Sequence, residues 1–92
     1  MDSQNYLNEL ERMCKDYNEA GKELAKVLVE KSSAILILMA SSKSAKEAEL
    51  RWQATPSGNR EIELIYRLRG LKELISANKM YIRTKNAEDY HS

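Results

Sequence analysis

Residues 34–40 read AILILMA, the longest uninterrupted apolar run in this chain of 92 residues. Two pairs of serines, Ser32-Ser33 and Ser41-Ser42, bracket it. Seven consecutive residues go once around a helix and beyond, so a helix here is apolar on every side and has to be covered on every side. The run is too short to cross a bilayer, which takes about 20 apolar residues. We therefore expect protein to cover it, either the rest of this chain or other copies of it.

The run ends a much longer apolar pattern that begins near Tyr6. Apolar residues recur at alternating spacings of three and four, as in a heptad stripe. This main stripe contains Leu7, Leu10, Cys14, Tyr17, Gly21, Leu24, Leu28, Ile35 and Leu38, with Lys31 as its one charged member. A second stripe repeats every seven residues beside it, through Tyr6, Met13, Ala20, Val27, Ala34 and Ser41. A face this wide suits a bundle of three or more helices better than a two-stranded seam.

The length of this first helix predicts self-association. A helix from Ser3 to Ala40 is roughly 57 Å long at 1.5 Å per residue. A compact monomer of this size is shorter than that across. The excess length leaves part of the apolar face for another copy to cover.

Serines interrupt the pattern after Ala40. The sequence Ser44-Ala45-Lys46-Glu47 has the spacing of a capping box, in which serine and glutamate each accept a hydrogen bond from a backbone N–H. It predicts a new helix that starts at this point. The alternative is a helix that continues through 41–44, because Leu38, Ala45 and Trp52 keep heptad spacing across the serines.

A second interruption falls at Thr55-Pro56-Ser57-Gly58. Proline disfavours helical geometry in the residue before it and suits the first helical turn, so Thr55 is expected to cap a helix with Pro56 at its first position. This last helix is predicted to run to about Thr84. Its stripe contains Leu64, Leu68, Leu71, Ile75 and Ile82, with Asn78 in the gap. The domain is predicted to span 1–85, with 86–92 as a polar tail.

The predicted fold class is all-α. A long N-terminal helix and a returning C-terminal helix form a helical hairpin that assembles into an oligomeric bundle. Its predicted oligomer core is Leu28, Ile35, Leu38, Met39, Leu68, Leu71 and Ile75. A competing α+β interpretation makes strands of 34–40 and 61–69, because apolar and charged residues alternate from Glu61 to Arg69.

Two residues within the helical seams stand out. Asn78 either fixes register and oligomer state from a buried position or faces a wet end of the bundle. Gly21 lies on the core face, where a missing side chain permits close helix approach.

Catalytic and metal-binding chemistry find little support. Cys14 is placed as a buried thiol on the apolar stripe, and the one histidine, His91, is far from it in sequence, so no Cys/His nucleophile pair is indicated. The carboxylates are interpreted as solvent-facing, and Glu61 and Glu63 point apart on a helix. We predict no enzyme activity, no metal site and no cofactor.

The compartment follows from composition. One cysteine cannot form an internal disulfide, which fits a reducing environment. Residues 1–5 lack the basic and apolar regions of a secretory signal. We expect a cytoplasmic protein that does not enter a membrane.

Charge is unevenly distributed along a chain of net charge +1. Residues 1–30 carry four basic and seven acidic side chains, a balance of −3, and residues 59–85 carry seven basic and three acidic ones, a balance of +4. A basic stripe on the last helix contains Arg69, Lys72, Lys79 and Arg83. These residues contact phosphates, pair with the acidic first helix of this chain or of a partner, or form a solvated face.

The function favoured by these patterns is non-enzymatic. We expect a small helical interaction protein that self-associates and binds another macromolecule, most simply a protein, as an adaptor or inhibitor does. The alternative is a nucleic-acid-binding or accessory protein that uses the basic stripe.

Overall fold

The computed structural model describes residues 2–91, with side chains placed for 4–87. Two short connections separate three helices, α1 (Asp2–Ala40), α2 (Ala45–Gln53) and α3 (Pro56–His91). The all-α prediction is therefore confirmed for the described residues. The α+β interpretation is wrong, since both 34–40 and 61–69 are helical.

The first break is real, and a local capping interaction causes it. Ser44 is in an extended conformation and its hydroxyl accepts a hydrogen bond from the Glu47 N–H at 3.1 Å. The Glu47 carboxylate accepts in turn from the Lys43 N–H at 2.9 Å. The carboxylate of Glu47 therefore bonds to Lys43, one residue before the cap, rather than to Ser44 itself. The alternative of a helix continuing through 41–44 is wrong.

The second break follows the prediction at its start and departs from it at its end. Thr55 Oγ1 accepts from the Gly58 N–H at 3.0 Å and donates to the Trp52 carbonyl at 2.6 Å. Pro56 then opens α3. The helix continues to His91 rather than ending near Thr84, because no proline or glycine follows Gly70 to stop it.

The three helices form a rod of 67 × 18 × 15 Å. α3 runs antiparallel to α1. At one end Lys31 of α1 contacts Glu61 near the start of α3, and at the other the rings of Tyr6 and Tyr81 lie 4.2 Å apart. The short α2 packs beside both long helices at the first end. One part of the rod is consequently three helices thick and the rest only two.

The core lies in the part of the rod that is three helices thick. Its centre is Ala20, Val27, Trp52 and Leu64, with Leu24, Ala34, Ile35, Leu38 and Leu68 packed around it. On α1 the most buried side chains belong to the second stripe, while Leu7 and Leu28 of the main stripe are nearly half exposed. The prediction that the main stripe forms the centre of the apolar face is therefore wrong, since the second stripe lies at that centre. Small residues such as Ala20 let α3 approach closely along the second stripe, and the far edge of the face remains outside.

The absence of a side chain is required at one glycine, Gly58. A Cβ on Gly58 would lie 1.9 Å from the Trp52 carbonyl oxygen, because the last turn of α2 is in contact with the first turn of α3. At Gly21 no atom beyond the local backbone of its own helix lies within 4 Å of the equivalent point. The close approach that we expected at Gly21 is therefore not made within the chain.

Candidate interaction surfaces

The apolar run that dominates the sequence is only partly covered. Ala34, Ile35 and Leu38 pack against the core, but Leu36 and Ile37 are 71% and 73% exposed. Their neighbours Leu28, Val29 and Met39 are exposed as well. We call these five exposed side chains the outer patch.

Some residues of the predicted oligomer core are buried within this single chain, and others are exposed on its surface. Ile35, Leu38 and Leu68 are partly buried against the core. Leu71 and Ile75 on α3 are half-buried, and Ile75 lines a depression together with Cys14 and Tyr17 of α1. Leu28 and Met39 belong to the outer patch. Whether these residues meet another copy stays a prediction.

A polar cluster connects the three helices where they meet. The Trp52 indole N–H donates to Glu61 Oε1 at 2.7 Å, and Lys31 Nζ donates to Glu61 Oε2 at 3.3 Å and to Glu49 Oε1 at 2.7 Å. Trp52 is 2% exposed and Glu61 9%. The interpretation of Glu61 as a solvent-facing carboxylate was wrong, because its two partners lie on other helices. We call these four residues the junction cluster.

Protonation of Lys31 makes the stability of the fold depend on pH. The hydrogen bond from the Lys31 ammonium to Glu49 raises the pKa of this lysine, while burial opposes the shift. A lysine whose pKa rises on folding stabilises the folded chain at pH values below its unfolded pKa of about 10.4. This stabilisation is lost as the pH rises through the pKa that the lysine has in the folded chain. The Lys31 ammonium is therefore charged at neutral pH.

One side of the α1–α3 pair is closed by charge pairs. Arg60 donates to both carboxylate oxygens of Glu23, at 2.5 and 2.8 Å, and lowers the pKa of Glu23 chiefly through these bonds. Ser57 donates to Glu30 at 2.8 Å. Asp16, Glu19 and Arg67 line the same depression. We call this the paired groove.

The other side of the same helix pair is apolar at its floor and basic at its rim. Two depressions run into one another there, since Tyr17 and Lys72 line both. Their apolar lining consists of Cys14, Tyr17, Leu24, Ile65, Leu68 and Ile75, and their cations are Arg69, Lys72 and Lys79. We call this the basic groove.

The basic stripe predicted from the sequence is exposed throughout, at Arg69, Lys72, Lys79 and Arg83. No ion pair involves these four residues among the side chains of 4–87, although Arg69 lies 5.9 Å from the ring centre of Tyr66. Asp16, Glu19 and Glu23 lie on the paired groove instead. Pairing of the stripe with the acidic helix of its own chain is therefore wrong, since α3 presents Arg60 and Arg67 to that helix.

Asn78 lies where α1 and α3 alone form the rod. Its Oδ1 is shut off from solvent and accepts no hydrogen bond within the described part of the chain. A wet environment for this oxygen is thus wrong, and a role in register stays a prediction.

Replacing Asn78 should therefore stabilise the chain. We expect Asn78→Leu to raise the free energy of unfolding by about 1 kcal/mol or more, because a buried acceptor without a donor is removed. Urea unfolding followed by circular dichroism at low protein concentration measures this. A less stable variant would mean that the oxygen has a donor in solution that the single chain does not supply.

The remaining candidate chemistry is sparse. Cys14 is half-buried at the basic groove rather than fully buried. Among the described residues, no three His, Cys, Asp or Glu side chains converge as a metal site requires. None of the helices within residues 2–91 contains an apolar stretch long enough to cross a membrane.

The chain was compared with protein families, curated proteins and solved structures. No family model, curated protein or solved structure matches it.

Proposed function

We propose that this chain is a non-enzymatic helical interaction protein that self-associates into a bundle and binds another macromolecule as an adaptor or inhibitor. The observation that carries the proposal is the outer patch. Its members Val29, Leu36 and Ile37 are each more than 70% exposed in a single chain. Burying one such side chain contributes about 1.5–3 kcal/mol, so covering the patch favours association.

The shape of the rod supports the same proposal. The half that contains the start of α1 and the end of α3 has only two helices among the described residues, and a two-helix layer leaves both faces of its seam open. Tyr6, Leu74 and Tyr81 are exposed there. A four-helix arrangement of two copies covers the face of this seam that carries Tyr6, Leu74 and Tyr81, as bundles do. The same copy-to-copy contact accounts for a helix this long in a chain this short.

Mutation of the outer patch should separate assembly from folding. We expect Leu36→Lys combined with Ile37→Lys to reduce the particle mass to the 10.6 kDa of one chain, with helicity nearly unchanged. The reason is that both side chains point to solvent in the single chain and lose nothing within it. Light scattering on a sizing column measures the mass.

Two further variants make this test specific. Tyr66→Lys alters a comparably exposed side chain, at 66%, that belongs neither to the outer patch nor to the exposed residues of the two-helix half, and should leave the mass unchanged. Leu38→Asp places a charge in the core and should unfold the chain, because an unpaired buried charge costs several kcal/mol. If L36K/I37K keeps the mass of the parent, the outer patch is not the contact.

A second candidate function is nucleic-acid binding through the basic stripe. The observation that favours it is that four cations are exposed on one side of α3 without carboxylate partners among the described side chains. Binding of this kind weakens with salt by a log–log slope of about −0.9 per duplex phosphate neutralised. A gel-shift titration at two salt concentrations tests for it.

A further inference from the structure

We propose that the basic groove is the docking site for an amphipathic helix of another protein, one whose apolar stripe is flanked by carboxylates. The inference rests on the proposed function, which requires a macromolecular partner, and it gives that partner a surface and a chemistry.

The two grooves of the α1–α3 pair differ in a way that points to this occupant. In the paired groove, Arg60 and Glu23 close over Ala20 and Leu64, so the seam is covered within the chain. In the basic groove no such bridge crosses the seam, and the floor of Tyr17, Leu24 and Leu68 remains accessible from solvent. An apolar floor of this kind is what a docked helix covers.

The rim determines the charge of the occupant. Lys72 and Lys79 line the groove and make no ion pair within the described side chains. They are seven residues apart, or about 10.5 Å along α3. A helix lying in the groove with carboxylates at the same spacing places one beside each lysine. Charge complementarity of this sort selects the partner and speeds association more than it adds affinity.

The acidic face of α1 in a second copy does not present such a surface. Its acidic face is formed by Glu9, Asp16, Glu23 and Glu30, which follow one another at heptad spacing. The apolar stripe beside that face contains Met13, Ala20 and Val27, all buried against the chain's own helices. A copy would have to unfold its own core to offer this stripe, so the acidic face of α1 is not the occupant and we assign the groove to a different protein.

Nucleic acid fits the groove less well. Phosphates satisfy the rim cations but leave Leu24, Leu68 and Ile75 uncovered. The groove also lacks a row of exposed aromatic rings on which bases stack. The observations therefore favour a protein helix, and nucleic-acid binding is an outcome that the experiment detects.

Two synthetic peptides test the proposal on the full chain. Both are three-heptad helices with leucine along one stripe, and the edges of that stripe carry glutamate in one peptide and lysine in the other. We expect fluorescence anisotropy to show the glutamate peptide binding at least about tenfold more tightly than the lysine peptide. K72E/K79E should reverse this preference.

A matched variant controls for net charge. K15E/K22E makes the same change at two lysines that are also seven apart and exposed, but on the outer side of α1. It should retain the preference of the parent, and circular dichroism verifies that both double variants fold. Sedimentation of the same samples reports self-association separately, so a failed docking site and a failed assembly give different results.

Four results would overturn the proposal. They are no binding of the glutamate peptide, equal binding of both peptides, an equal loss in K15E/K22E, and salt-sensitive duplex DNA binding by a parent that ignores the peptides. The last of these supports the nucleic-acid function instead.

Discussion

Gly58→Ala is expected to lower the free energy of unfolding by about 3 kcal/mol, at the upper end of what overpacking costs. The new methyl carbon would lie 1.9 Å from the Trp52 carbonyl oxygen and 2.8 Å from the Gln53 Cα. These are backbone atoms of α2, so no side chain can rotate away to make room. Relief requires α2 and α3 to separate where Trp52 is buried.

Gly70→Ala is the matched control in the same helix. No atom beyond the local backbone of α3 lies within 4 Å of its added methyl, and alanine favours a helix interior over glycine by about 1 kcal/mol. This variant should be slightly more stable than the parent. Thermal and urea unfolding of the three proteins give the comparison, and equal stability of the two alanine variants would contradict the packing described at Gly58.

Glu61→Ala is the second variant with a large expected effect, a loss of about 3 kcal/mol. Removing this carboxylate leaves the buried indole N–H of Trp52 without an acceptor and deprives Lys31 of one of its two partners. Because Trp52 is the one tryptophan in the chain, its fluorescence reports the same event. Emission should shift to longer wavelength as water reaches the indole.

Glu63→Ala controls for the loss of a carboxylate from α3. The Glu63 side chain is 66% exposed and accepts one bond from Arg60, a neighbour in its own helix. Its removal should change stability by no more than about 0.5 kcal/mol. A small effect at Glu61 together with unchanged tryptophan emission would show that the junction cluster does not hold the helices together.

Local sequence rules predicted the helices well. The capping spacing at Ser44 and the Thr55-Pro56 pair each mark a helix start that the structure reproduces. Both are signals in which a side chain and a backbone group lie within three residues of one another. The end of α3 was predicted less well, since a polar composition does not itself stop a helix.

Tertiary features were harder to predict because they depend on residues far apart in sequence. Glu61 looks solvent-facing until Lys31, which is 30 residues earlier, is placed opposite it. One signal pointed to this pair: Lys31 is the only charge in its stripe, and Glu61 precedes Leu64 and Leu68 at heptad spacing in the stripe of α3. Opposite charges in the facing seams of two helices indicate a contact.

The candidate surfaces were predictable in part. The sequence indicated that residues 34–40 need cover, but only the structure distinguishes Ile35 and Leu38, which the chain covers, from Leu36 and Ile37, which it leaves exposed. Likewise the basic stripe was visible as a row of cations. The sequence did not show that this stripe borders an apolar groove, because that depends on which face of α3 lies against α1.

Sedimentation equilibrium of the parent protein across the micromolar range tests the central claim, self-association, most directly. We predict a mass above the 10.6 kDa of one chain that approaches a whole multiple of it as concentration rises. A mass that stays at 10.6 kDa over the whole range, with helicity intact, would contradict the proposal that other copies cover the outer patch.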